Sequence, residues 1–204
     1  SYGSLVASFN LLVYGSLIYL AEEISCCKKY GQSRLAFALF GVGLLNSFTN
    51  YAHHTYHLPQ NHLIKWIAFI VSSLEILILV KVLMDISQKI IQRSSFKTKN
   101  IHEYFINLSK FWTFGMLSVA ILISIPPLNS LIHGTHVITA HAMGSEIGID
   151  SYILFAVFSF LLTEMFFDNQ KALNILNGAT IKRDIQIMNF LVFVLVSWLF
   201  VSGS

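Results

Sequence analysis

Four long runs carry no Asp, Glu, Lys or Arg at all: residues 1–21, 35–64, 111–145 and 185–204. A helix crosses the hydrocarbon core of a bilayer in roughly 20 apolar residues. Inside lipid, every backbone N–H and C=O must find its partner within the protein, which leaves helices or closed barrels. Runs of this length predict six transmembrane helices, over 5–20, 35–54, 63–84, 105–125, 132–163 and 185–202. The expected fold is all-α, a polytopic membrane helix bundle forming one transmembrane domain over 1–204. Composition agrees with this. Apolar residues make up 55% of the chain and charged residues 11%, where an ordinary soluble domain has about 25% charged. So few charges could not cover a water-soluble sphere of this size. Disordered, collagen-like, disulfide-scaffold and nucleic-acid-binding classes are excluded on the same ground.

The basic residues give an orientation. Eleven of the thirteen Lys and Arg fall in the loops at 21–34, 85–110 and 164–184. The opposite side keeps Lys65, and Lys81 sits late in the third span. The positive-inside rule places the basic loops in the cytoplasm, so both ends of the chain are expected to face outward. Ser1-Tyr2-Gly3 has no basic n-region of a signal peptide, and the chain reads as a piece of a larger subunit. The adjacent Cys26 and Cys27 fall in a cytoplasmic, reducing loop and read as ordinary thiols. No P-loop, dinucleotide glycine pattern or internal repeat is present.

Histidine is unevenly distributed. His53, His54, His57, His62, His133, His136 and His141 fall on the outward side, and only His102 on the cytoplasmic side. At 1.5 Å per residue, His141 lies roughly 14 Å below residue 132, in the outer third of its span. Two helices thus bring imidazoles to one depth. Ionisable groups within a membrane usually face a functional interior, and neutral imidazole is the commonest metal ligand. His53 with His54 could aim two rings at one metal, and His53 with His57 is a competing chelate. Gly144, Ser145 and Gly148 follow His141 closely. Small residues there leave room for a flat macrocycle, or serve close helix packing. Glu146 and Asp150 are four residues apart and share a helical face, in a stripe that Met143 opens. That stripe reads as a proton path, or as a pair satisfied by Lys81 or by backbone.

Two strings are more specific. Asn50-Tyr51-Ala52-His53-His54-Thr55-Tyr56-His57-Leu58-Pro59 resembles the paired-His segment of the haem-copper oxidase superfamily. His133-Gly134-Thr135-His136-Val137-Ile138-Thr139-Ala140-His141-Ala142 resembles the segment carrying the haem axial ligand there. Ser72-Ser73-Leu74-Glu75 resembles a Ser-x-Leu-Glu segment of the nitric oxide reductase large subunit, the branch this chain looks most like.

The resemblance spans the whole chain and implies the second half of a twelve-helix subunit in a bacterial plasma membrane. It implies a high-spin haem b on His141, non-haem iron on His53 and His54 (copper in the oxidases), and Glu75 as the carboxylate beside them. It further implies a second, low-spin haem, the remaining helices of the subunit, and a cytochrome c or a quinol as electron donor. The expected activity is reduction of nitric oxide to nitrous oxide.

Three departures stand out. The family's third metal-ligating His is here Ser4, and a reductase Glu four residues later is Ser8. The second His of the family's His-x-His is Met143, a thioether that can also ligate haem iron. A cbb3-like oxygen reductase is a rival, but its Tyr six residues before the paired His is here Ser47. A non-catalytic relative of the same fold, or an ion channel or transporter, are rivals from other classes.

Overall fold

The structure, a computed structural model, describes residues 2–25, 29–54, 59, 61–93 and 100–203, and the side chains of 8–24, 29–48, 59, 61–88 and 100–203. The described residues form helices and connecting turns, with no strand among them. The helices are α1 (Tyr2–Ser25), α2 (Arg34–His54), α3 (His62–Arg93), α4 (Ile101–Ser124), α5 (Pro126–Ile132), α6 (His136–Ser145), α7 (Tyr152–Met165), α8 (Gln170–Leu176) and α9 (Ala179–Gly203). A π-helical turn, Glu146–Ser151, joins α6 to α7 without a break.

Four helical segments are long and apolar enough to cross a membrane: His62–Gln88, Ile101–Ser124, His136–Met165 and Gln170–Gly203. Arg34–Phe48 is a shorter apolar helix, and the first expected span, 5–20, lies within α1. Their outer surfaces are apolar. Phe37, Phe48, Trp198 and Val201 are each at least 70% exposed, as side chains facing lipid are.

The fifth expected span, 132–163, needs correction. The apolar run from α4 onward is broken twice before the spanning helix starts at His136. Pro126 and Pro127 lack the N–H and clash with the turn before them, so α4 stops and the short α5 begins with Pro at its first position. Gly134 then takes φ +84°, a conformation open to a residue without Cβ. Thr135 caps α6 by accepting a hydrogen bond from the Val137 N–H at 3.3 Å, as an N-cap hydroxyl does. His133 therefore lies in a turn, not in a helix.

The core runs along the middle of the bundle. Val13, Leu17 and Leu20 of α1 meet Leu39 of α2, Val82, Leu83 and Ile86 of α3, and Ile153 and Ala156 of α7, all essentially inaccessible. Pairwise, α2 packs on α3, α4 on α7 and α6 on α9, while α1 touches α2, α3 and α7. Part-buried polar pairs tie the helices together. The Trp112 Nε1–H of α4 donates to Asn189 Oδ1 of α9 at 2.7 Å, and the Tyr152 hydroxyl of α7 donates to the same oxygen at 3.2 Å. In lipid such interhelical bonds act as specific fasteners. The Ile101 N–H at the start of α4 donates to Asn177 Oδ1 at 2.8 Å, which satisfies a helix-terminal donor.

Candidate functional site: a polar cavity inside the bundle

A cavity of about 240 Å³ lies between α1, α2, α3, α4, α5, α6 and the π turn. Its polar wall begins on α3, where Ser72, Glu75 and Leu79 share one buried face. Glu75 lies 13 residues into α3, about 20 Å along the helix. It is only 4% exposed. Two helices meet it with donors. The Tyr14 hydroxyl of α1 donates to Oε1 at 2.7 Å, and the Asn46 Nδ2 of α2 donates to Oε2. Asn46 is fixed in turn, its Oδ1 accepting from the Ser72 hydroxyl at 3.1 Å. Each carboxylate oxygen of Glu75 thus has a donor, the arrangement a buried acceptor requires.

Asp150 enters from the opposite wall. It sits in the π turn and is 9% exposed. The wider turn is visible in the Ser151 hydroxyl, which donates to the Glu146 carbonyl five residues back at 2.8 Å. From α4, the Ser109 hydroxyl donates to the Ile149 carbonyl at 3.2 Å. Gly148 lies against the Trp112 ring of α4, where a Cβ would collide with the indole. Single π turns of this kind recur at functional positions. Glu146 and Asp150 both line the cavity, as their spacing predicts. They do so on a π turn rather than a regular helix, and Glu146 is exposed while Asp150 is buried. Met143 leaves the expected stripe: it packs against the apolar core and is absent from the cavity wall. Lys81 is exposed and also absent from that wall.

His141, on α6, is half-buried and lines the cavity together with His133 from the turn before it. The cavity therefore gathers Glu75, Asp150, Glu146 and His141, four residues singled out from sequence. His53 and His54 end α2, and their side chains lie outside the described residues, as does His57. The side chain of Ser4 is also outside them, and Ser8 is exposed. Ser47 donates to the Leu44 carbonyl at 2.6 Å, bonding within its own helix. His62 is exposed at the start of α3. His136 is exposed too, its Nδ1 lying 3.0 Å from the Ser202 hydroxyl of α9. Among the described residues no group of three His, Cys, Asp or Glu side chains has metal-holding geometry.

The glycines beside His141 decide how it fits a haem. Gly144 lies against Met116 and Gly148 against Trp112, so the space these small residues leave is filled by α4 side chains. The macrocycle reading of Gly144 and Gly148 is thereby replaced by close helix packing. On the other side of His141, 240 Å³ falls short of the roughly 300–1,000 Å³ of small-molecule pockets. As the helices stand, the residues do not fit a haem at His141.

Tyr14, Asn46 and Asn129 belong to the wall and were missed from sequence. Their one signal is that each is a polar residue inside a run otherwise free of charge. Comparison with family models, with curated proteins and with solved structures gives no match.

Proposed function

We propose that this chain is part of a membrane reductase of the haem-copper type, in the nitric oxide reductase branch its motifs resemble, and that its own residues handle protons. The observation that carries this is the cavity shared by Glu75, Asp150 and His141. In this reading the chain crosses the plasma membrane six times with its basic loops inside. It assembles with the remaining helices of the subunit and takes electrons from a cytochrome c or quinol partner. Coupling two nitric oxide molecules to nitrous oxide and water consumes two electrons and two protons. Glu75 and Asp150 are the buried carboxyl groups on the cavity wall, and they would accept and release those protons. Each Glu75 oxygen keeps a second lone pair beside its donor, so Tyr14 and Asn46 orient the carboxyl that would take the proton. The glycine face of α6 is filled by Met116 and Trp112, so a haem on His141, as the resemblance implies, would require these α4 side chains to move aside.

Asp150→Asn in the purified complex tests this. Proton-coupled turnover of nitric oxide is expected to slow at least tenfold with haem content unchanged; unaltered turnover overturns the reading. A second reading, a non-catalytic member of the same fold, is favoured by Met143 in the apolar core and by the closed face at Gly144. Pyridine-haemochrome and metal analysis separates the possibilities. Haem with non-haem iron supports the reductase, haem with copper supports an oxygen reductase, and neither supports the non-catalytic member.

A further inference from the structure

The two donors that hold Glu75 differ in kind. The Asn46 amide and the Tyr14 hydroxyl each give it one hydrogen bond. An amide N–H does not hand on its proton. A phenol O–H does, because its oxygen both donates and accepts. The phenol is also firmly placed. It is 6% exposed, its oxygen lies 2.7 Å from Glu75 Oε1, and its ring packs against Gly43 of α2, where a Cβ would come to 3.3 Å. Its one proton is committed to Glu75, so its oxygen meets the rest of the cavity as an acceptor.

The other titratable side chains on the cavity wall are Glu146 and Asp150 of the π turn, His141 of α6 and His133 of the turn before it. No Lys or Arg lines the cavity. Asp150 is the buried member of this set. The helix that carries Tyr14, α1, packs against both α3 and α7, and Asp150 lies within electrostatic reach of Tyr14 and of Glu75.

We infer that Asp150 and Glu75 exchange a proton through the Tyr14 hydroxyl. Asp150 releases a proton to a cavity water, that water gives one to the phenol oxygen, and the phenol proton moves to Glu75 Oε1. One O–H bond breaks at Asp150 and one forms at Glu75, while the water and the phenol each lose one and gain one. Tyr14 is neutral before and after, and no electron moves. A cavity of 240 Å³ has room for several waters, at about 30 Å³ each. The inference rests on the proton-handling reading of this cavity and names the side chain that joins its two buried carboxyls.

The experiment is time-resolved infrared spectroscopy of the purified complex in lipid nanodiscs after a light-triggered pH jump. The carboxyl bands are assigned by their loss in Glu75→Gln and Asp150→Asn. No nitric oxide is present, so a complex that reduces nitric oxide but lacks the relay refutes the inference alone. A relay in a complex without turnover refutes the reductase reading alone. In the parent, the Glu75 band is expected to rise after the Asp150 band. Tyr14→Phe is expected to slow the Glu75 step at least about tenfold, roughly 1.4 kcal/mol in its barrier, with the Asp150 band still rising first. Asn46→Leu removes the other hydrogen bond to the same carboxyl and is expected to slow that step less. Asp150→Asn leaves both Glu75 hydrogen bonds in place. It is expected to slow Glu75 protonation as much as Tyr14→Phe does, and covers the case in which that variant does not fold. A Glu75 band that rises at the parental rate in folded Tyr14→Phe or Asp150→Asn overturns the inference, since the proton then reaches the carboxylate's remaining lone pairs from water. Equal or greater slowing by Asn46→Leu also overturns it, since the phenol then does no more than position the carboxyl.

Discussion

Trp112 and Gly148 depend on each other. The indole occupies the place a side chain at 148 would take, and it is anchored there by its bond to Asn189. Gly148→Ala therefore meets a ring that cannot swing aside. It is expected to destabilise the bundle by about 1–3 kcal/mol, as overpacked cores do. Gly144→Ala meets Met116 instead, and a flexible thioether can rearrange, so its cost is expected to be the smaller of the two. Thermal unfolding of both variants in one detergent checks the order. Tyr30 lies in the loop between α1 and α2 and is buried. Burial, and then the nearby Asp85 carboxylate, push its hydroxyl up from 10.0 to about 12. The folded state thus holds this proton more tightly than the unfolded one. The stabilisation is complete below pH 10 and is lost as pH rises from 10 through about 12. Tyr30→Phe is expected to flatten that part of the alkaline stability curve, followed by unfolding temperature against pH. The same curve unchanged in the variant would remove Tyr30 as its source.

At the scale of elements, the π turn sets which way Asp150 points. Deleting Ile147 shortens the six-residue turn and lets α6 run into α7 with α-helical spacing. The flanking helices keep their register, because the π turn had absorbed the extra residue, but the widened turn that carries position 150 is lost. In a chain with Cys26 and Cys27 replaced by Ser, Asp150→Cys is expected to react slowly with a small polar thiol reagent. Its rate is expected to change at least severalfold when Ile147 is deleted. Equal rates would mean that the π turn does not aim this residue. The helices themselves were legible in sequence, because a charge-free run long enough to cross lipid has few alternatives. The break before α6 was also written there, in Pro126, Pro127 and Gly134, but the apolar run across it masked the signal. The π turn was not legible, since six residues cannot reveal a period only slightly longer than 3.6.

For the whole molecule, the site was legible in part. Glu75, Glu146, Asp150 and His141 stood out because charge and imidazole are rare in lipid. Tyr14 and Asn46 did not, because their roles depend on contacts 61 and 29 residues away in sequence. The orientation drawn from the basic loops has its own test. In the chain lacking Cys26 and Cys27, Lys97→Cys is expected to react with a membrane-impermeant reagent only after the cell is opened. Rapid labelling in intact cells would reverse the orientation. One further feature bears on how the protein is made. The start of α6 is closed by the end of α9, where a Cβ on Gly203 would lie 2.6 Å from the Val137 nitrogen and Ser202 meets His136. Translation adds about 5–20 residues per second, so on the order of 3–13 s separates the synthesis of these two segments. During that interval the turn at 133–135 has no lid, and a nascent chain stalled after α8 is expected to be cut there by protease while a chain that includes α9 is protected. The arrival of α9 thus acts as a checkpoint on the start of α6, and quality control in the membrane has a definite moment at which to read it.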